Sequence, residues 1–162
     1  MKLTQVGLVA TALFLSSSAF AHTEKPNAAK EKKAISTEET SFGREGDPKK
    51  ANRTIKVDMS DKMRFSPETV VIKRGDIVRF AAKNSGKIMH EMVIGTMDEL
   101  KKHAELMKKH PGMEHDEAYM AHVAPGKAQN IVWHFTKAGE FYFACLIPGH
   151  FEAGMIGKIV VR

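Results

Sequence analysis

From Arg53 onward, apolar and polar positions alternate. Ile55, Val57 and Met59 are separated by polar residues, the period-two signature of a half-buried strand. Phe65-Ser66-Pro67 interrupts the alternation, and Thr69-Val70-Val71-Ile72-Lys73 reads as a second strand. The Lys73-Arg74-Gly75-Asp76 turn leads to a third strand at Ile77-Val78-Arg79-Phe80, and Asn84-Ser85-Gly86 ends it. Met89 to Ile94 is a fourth. Strands resume at Ala128 to Phe135, Gly139 to Ala144 and Gly157 to Val161.

Between these runs the period changes. Thr96, followed three residues later by Glu99, forms a capping-box signature, and Met97, Leu100, Ala104 and Met107 recur at helical spacing. His110-Pro111-Gly112 stops the run. One helix is therefore expected over Thr96 to about Lys109, followed by an irregular stretch to about Gly126. Short strands, Gly/Pro turns and a single helical excursion predict an all-β domain, a Greek-key β-sandwich or small barrel with one inserted helix. No internal repeat is visible.

Residues upstream of Arg53 lack this pattern. Lys2, the apolar run Val6 to Leu15, and the small-residue site Ala19-Phe20-Ala21 read as a signal peptide over residues 1–21. The apolar run is too short to cross a hydrocarbon core of about 30 Å, so no membrane span is expected after cleavage. Residues 22–52 are rich in Lys, Glu, Ala, Ser and Thr, with a lone Ile and a lone Phe, and are expected to be a flexible tail. About 140 residues would follow the leader, with the domain over 53–162. Export of this kind places the mature protein in the periplasm.

The chain carries a net charge of +6, of which the leader contributes only Lys2. The excess is dispersed among Lys-Glu mixtures with no dense basic stripe and no interleaved aromatics, which argues against nucleic acid as a partner. A mildly basic face suits an acidic protein partner in redox or metal transfer. A single cysteine, Cys145, cannot form an intramolecular disulfide. It is a buried hydrophobe, an intermolecular bridge or a metal ligand.

Its surroundings favour the last. Cys145, His150 and Met155 follow one another at five-residue intervals after an aromatic strand and before a Val-rich one. Thiolate, imidazole and thioether on one loop form a soft donor set that favours copper over oxygen-seeking cations. Zinc takes Cys and His but rarely Met, so Met155 tips the choice. A second imidazole must come from elsewhere, and His90, among apolar neighbours on the fourth strand, is the best placed. A histidine there could instead be a satisfied core residue.

Cys-x4-His-x4-Met with an upstream strand histidine resembles the cupredoxins, the blue or type 1 copper proteins. The resemblance spans about 53–162 and includes Phe65-x-Pro67, Val71-x-Lys73-x-Gly75-Asp76, Asn84-x-Gly86, the Gly139-Glu-Phe-Tyr-Phe lead-in and the closing Gly157-Lys-Ile-Val-Val. It implies an eight-stranded Greek-key sandwich holding one mononuclear copper. His90, Cys145 and His150 would be the strong ligands and Met155 the weak axial one. It also implies that His150 lies nearest the surface, with Ile147, Pro148 and Phe151 around it. Many cupredoxins place Asn directly after the first histidine to tie the ligand loops together; this chain has Glu91, so the tie must differ. The phrase from Phe143 to Met155, with the helical insert, looks most like small exported cupredoxins of bacterial copper tolerance. That function is expected, with a soluble electron carrier as the alternative, and in either case a monomer that is not an enzyme. Cys145 lies between Ala144 and Leu146, without the adjacent histidine that wires such sites to a second copper in copper enzymes.

Other sulfur and imidazole groups remain. The segment from about 96 to 125 carries His110, Met113, His115, Met120 and His122, which could hold labile copper, whereas Met97 and Met107 are simplest as core filler and His103 as solvated. His22 at a new N-terminus could chelate metal, or be an end with no role. His134 alternates with Trp133 and reads as structural. Glu91, Glu140 and Glu152 form no acid/base pair by spacing.

Overall fold

The computed structural model describes residues 34–110 and 116–162, and Ala34–Arg162 forms one compact unit. The expected signal peptide, His22, Met113 and His115 lie outside the described residues. Among the described residues ten strands and one helix are formed: β1 (Arg44–Glu45), β2 (Arg53–Ser60), β3 (Arg64–Ser66), β4 (Thr69–Ile72), β5 (Ile77–Asn84), β6 (His90–Gly95), α1 (Met97–Lys109), β7 (Met120–Val123), β8 (Ala128–His134), β9 (Gly139–Ala144) and β10 (Ile156–Val161). They build two five-stranded sheets, in the orders β1-β8-β5-β2-β3 and β4-β10-β9-β6-β7. β2 runs parallel to β5 and β4 parallel to β10, so the chain crosses repeatedly between sheets, as a Greek key requires. Among the described residues no helix is long and apolar enough to cross a membrane.

Alternation explains the layering. Ile55, Val57 and Met59 on β2 and Val78, Phe80 and Ala82 on β5 are buried, while their strand neighbours lie wholly or partly in solvent. Aromatic rings close the gap between sheets: Phe65 meets Phe143 edge to face at 4.9 Å, and Phe80 meets Phe135 at 6.1 Å. Burying each such ring contributes about 1.5–3 kcal/mol. β6 differs, being buried along its whole length. Its inner face joins the sandwich core, and on its outer side Val93 packs in a second cluster with Leu100, Ala104 and Met107 of α1 and Leu146 beyond β9. The helix therefore covers the strand that begins with His90.

The capping box is present, with Thr96 accepting from Glu99 N–H and the Glu99 carboxylate accepting from Thr96 N–H at 2.9 Å. The sequence pattern resolves seven strands and the resemblance implies eight. β1, β3 and β7 account for the difference, and each has four residues or fewer, too short for a period to register.

The expectation of a flexible tail over 22–52 fails for residues 34–52. Phe42 is buried and stacks on Trp133 at 5.0 Å, and Trp133 Nε1–H donates to Phe42 O at 3.0 Å. β1 then pairs with β8 at Trp133 and His134. Gly43, at φ +121, permits the approach, because a Cβ there would stand 2.3 Å from His134 O. One aromatic anchor holds a segment whose average composition is that of a linker.

Candidate metal centre

His90 opens β6, Cys145 follows the end of β9, His150 lies on the β9–β10 loop and Met155 precedes β10. The structure brings the first three together: one donor atom from each of His90, Cys145 and His150 lies within 4.8 Å of the others, the sole such cluster of His, Cys, Asp or Glu among the described residues. Cys145 Sγ is 3.2 Å from His150 Nδ1, and the two imidazole rings lie 5.0 Å apart at 52°. His90, Cys145 and Met155 are fully buried, whereas His150 is partly exposed.

Backbone pairing shapes the loop. Cys145 N–H donates to Met155 O at 3.1 Å, Met155 N–H to His150 O at 3.0 Å, and His150 N–H to Ile147 O at 2.9 Å. Three of the expected ligands are thus stitched to one another before any side chain acts. Glu152 accepts from Gly149 N–H at 2.8 Å and meets Lys108 Nζ at 2.7 Å, tying the loop to the end of α1. The hydrogen bonds that the Lys108 ammonium donates to Glu105 and Glu152 hold its pKa up at about 12.

Two carboxylates flank His90. Glu91, almost fully buried, accepts from Leu146 N–H at 2.7 Å, and its other oxygen lies 3.1 Å from His122 Nδ1. Glu91 therefore supplies the tie between ligand loops, through a carboxylate. His122, which could have held labile copper, is engaged by this contact. It lies directly across from Glu91 in the β6–β7 ladder. His110 caps the C-terminal end of α1 and is exposed. Asp61, from the β2–β3 turn, lies 3.1 Å from His90 Nε2. Sequence spacing could not reveal Asp61, which is 29 residues from His90. Nor could it assign His122, whose partner became visible only through strand register.

The electrostatics fit a soft cation. Burial pushes the Cys145 thiol up to about 12, although the Glu91 and Ile147 backbone N–H groups face the sulfur and pull the other way. Burial, and then the neighbouring His90, holds the His150 imidazole below its usual range. Asp61 is lowered, first by the Lys87 N–H it accepts and, against some burial, by His90. His90 Nδ1 is a buried polar atom with no hydrogen-bond partner. An orphaned buried nitrogen is costly in an apolar core, and a bound metal would relieve that cost. A thiol and two imidazoles, closely grouped and shielded, are the donor set that type 1 copper requires.

Comparison with known proteins agrees. The profile described as "Copper binding proteins, plastocyanin/azurin family" matches residues 51–162. The chain belongs to this family. It is 56% identical over 124 residues to the "Copper-resistant cuproprotein CopI" of Rubrivivax gelatinosus, covering 76% of this chain and 75% of that one. A protein of the same description from Vibrio cholerae is 42% identical over 111 residues, 68% of this chain and 66% of the relative. Among solved structures, dithionite-reduced auracyanin of Roseiflexus castenholzii superposes with a TM-score of 0.59 at 18% identity, over 67% of this chain and 96% of that one, which supports the fold. As in other members of the family, copper is the cofactor, and the cluster of His90, Cys145 and His150 suits a type 1 site.

Proposed function

We propose that this is an exported, periplasmic copper-binding protein that contributes to copper tolerance. One mononuclear copper would be held by His90, Cys145 and His150, with Met155 as a fourth, weaker ligand. The observation that carries the reading is the buried cluster, with donor atoms within 4.8 Å and the partnerless His90 Nδ1 beside it. The relative covering three quarters of each chain, described as a copper-resistant cuproprotein, supports the physiological role. The leader pattern of residues 1–21 supports export.

When bound, copper supplies a one-electron couple. The chain's residues do the rest: β6 and the β9–β10 loop hold nitrogen and sulfur donors in place, the core excludes water from Cys145, and α1 covers the outer face. Such a centre could sequester copper, take one electron from a Cu(I) ion when its own copper is Cu(II), or hand the ion to another protein. The protein acts as a monomer and not as an enzyme. Ala144 and Leu146 on either side of Cys145 leave no imidazole to wire a second metal.

A second reading, a soluble electron carrier, draws support from the partial exposure of His150 on a loop with Ile147, Pro148 and Phe151. Deleting the gene separates the two. Sensitivity to copper salts, rescued by the native chain and not by Cys145→Ser, is the expected outcome. Unchanged copper tolerance with slowed respiration would overturn the first reading in favour of the second.

A further inference from the structure

Asp61 is the carboxylate closest to the proposed ligand His90, and the surrounding backbone is folded around it. Its turn closes through Met63 N–H donating to Ser60 O at 2.9 Å, with Met63 at φ 57, a conformation non-glycine residues seldom adopt. One carboxylate oxygen accepts from Lys87 N–H at 2.8 Å, and the other lies 3.1 Å from His90 Nε2. The 84–88 turn is fixed independently: Asn84 accepts from Gly86 N–H and donates to Ile88 O and Val123 O, each at 2.8 Å. A Cβ at Gly86 would stand 2.0 Å from the Asp61 oxygen that faces His90. Glycine there leaves the space that the carboxylate fills.

A carboxylate accepts hydrogen bonds, so the imidazole nitrogen facing it carries the proton. Nε2–H therefore points at Asp61, and Nδ1, the buried nitrogen without a partner, keeps its lone pair. A carboxylate behind a ligating histidine fixes its tautomer and ring plane and makes it a stronger donor. Negative charge close to a metal also favours the higher oxidation state.

We propose that Asp61 is a positioning residue of the copper centre: it locks His90 in the tautomer that presents Nδ1 and biases the site toward Cu(II). The inference rests on the reading of His90 as a ligand. A purely structural Asp61, holding the 84–88 turn through Lys87, would do neither.

The test combines 15N NMR of the histidine rings in the metal-free protein with potentiometry of the copper-loaded one. The native metal-free protein should show His90 protonated on Nε2 alone. Asp61→Asn should raise the Cu(II)/Cu(I) midpoint by at least about 59 mV, a tenfold change in the ratio of the two affinities for this one-electron couple. Most of that change should come from weaker Cu(II) binding. Asp61→Glu, which keeps the charge, should restore more than half of the shift. An Nδ1–H tautomer in the native protein overturns the proposal even if the variants fail to fold. So does an Asp61→Asn protein whose Cu(I) and Cu(II) affinities fall equally, in step with its stability. A native protein that takes up copper without engaging His90 defeats the site reading itself, whereas an unmoved potential defeats this inference alone.

Discussion

Replacing Glu91 by Ala removes the carboxylate that joins β6 to the Cys145 loop. Both ends of the Leu146 N–H contact are buried, Glu91 at 2% exposure and Leu146 at 1%. Losing a buried hydrogen bond to a charged acceptor, and stranding its donor, costs about 1.5–3 kcal/mol. The methylene lost with it adds about 0.8 kcal/mol. The His122 contact adds little, at most about 1 kcal/mol, because that imidazole is partly open to solvent. The sum is about 2–5 kcal/mol, a large fraction of the 5–15 kcal/mol that holds a typical domain folded. Urea unfolding of the metal-free protein measures it: with an m-value of about 1.5 kcal/mol/M, the midpoint should fall by about 1.5–3 M. Glu91→Gln keeps an acceptor for Leu146 N–H and should cost about 1 kcal/mol. Equal losses for the two variants would refute the reasoning, since the methylene and the neutral acceptor that Gln retains would then contribute nothing.

Cys145→Ser should abolish the thiolate-to-copper charge-transfer absorption of the copper-loaded protein, and a retained visible band would remove Cys145 from the ligand set. Copper uptake near pH 7 should release about one proton, because the Cys145 thiol is protonated up to about 12 and must ionise to bind while His150 is already neutral; an indicator dye in weak buffer reads it. The metal-free protein should lose stability on both sides of neutrality. His150 resists protonation in the fold, so the unfolded chain gains protons first as pH falls below 6.5; Cys145 stays protonated in the fold while the unfolded thiol ionises at about 9, so stability falls between 9 and about 12. Unfolding midpoints that stay flat across both windows would contradict these assignments. Phe42→Ala should cost about 3–5 kcal/mol and expose Trp133 to water, which its fluorescence would report.

Much of the site was legible because it is local. Cys145, His150 and Met155 share one loop, and their residue types specify a soft metal without any tertiary knowledge. His90 could be singled out as the best-placed second imidazole, but a core role stayed open because its partner loop lies more than fifty positions away. The helix was readable to its caps because capping chemistry is written within four residues. Long-range pairings escaped: Asp61 reaches His90 across two turns, and His122 meets Glu91 only once β6 and β7 are in register. The docking of residues 34–52 escaped for the opposite reason. Composition averages over a window, and a single ring seated on Trp133 outweighs a window of polar neighbours.

The strands at the margins of both sheets are the short ones. Among the described residues β1 has two residues, β3 three, and β4 and β7 four each, while every strand of six residues or more is enclosed between two others. Exposed backbone donors and acceptors therefore come in runs too brief to template a neighbouring copy. A β-rich chain built this way can be concentrated without growing into fibres.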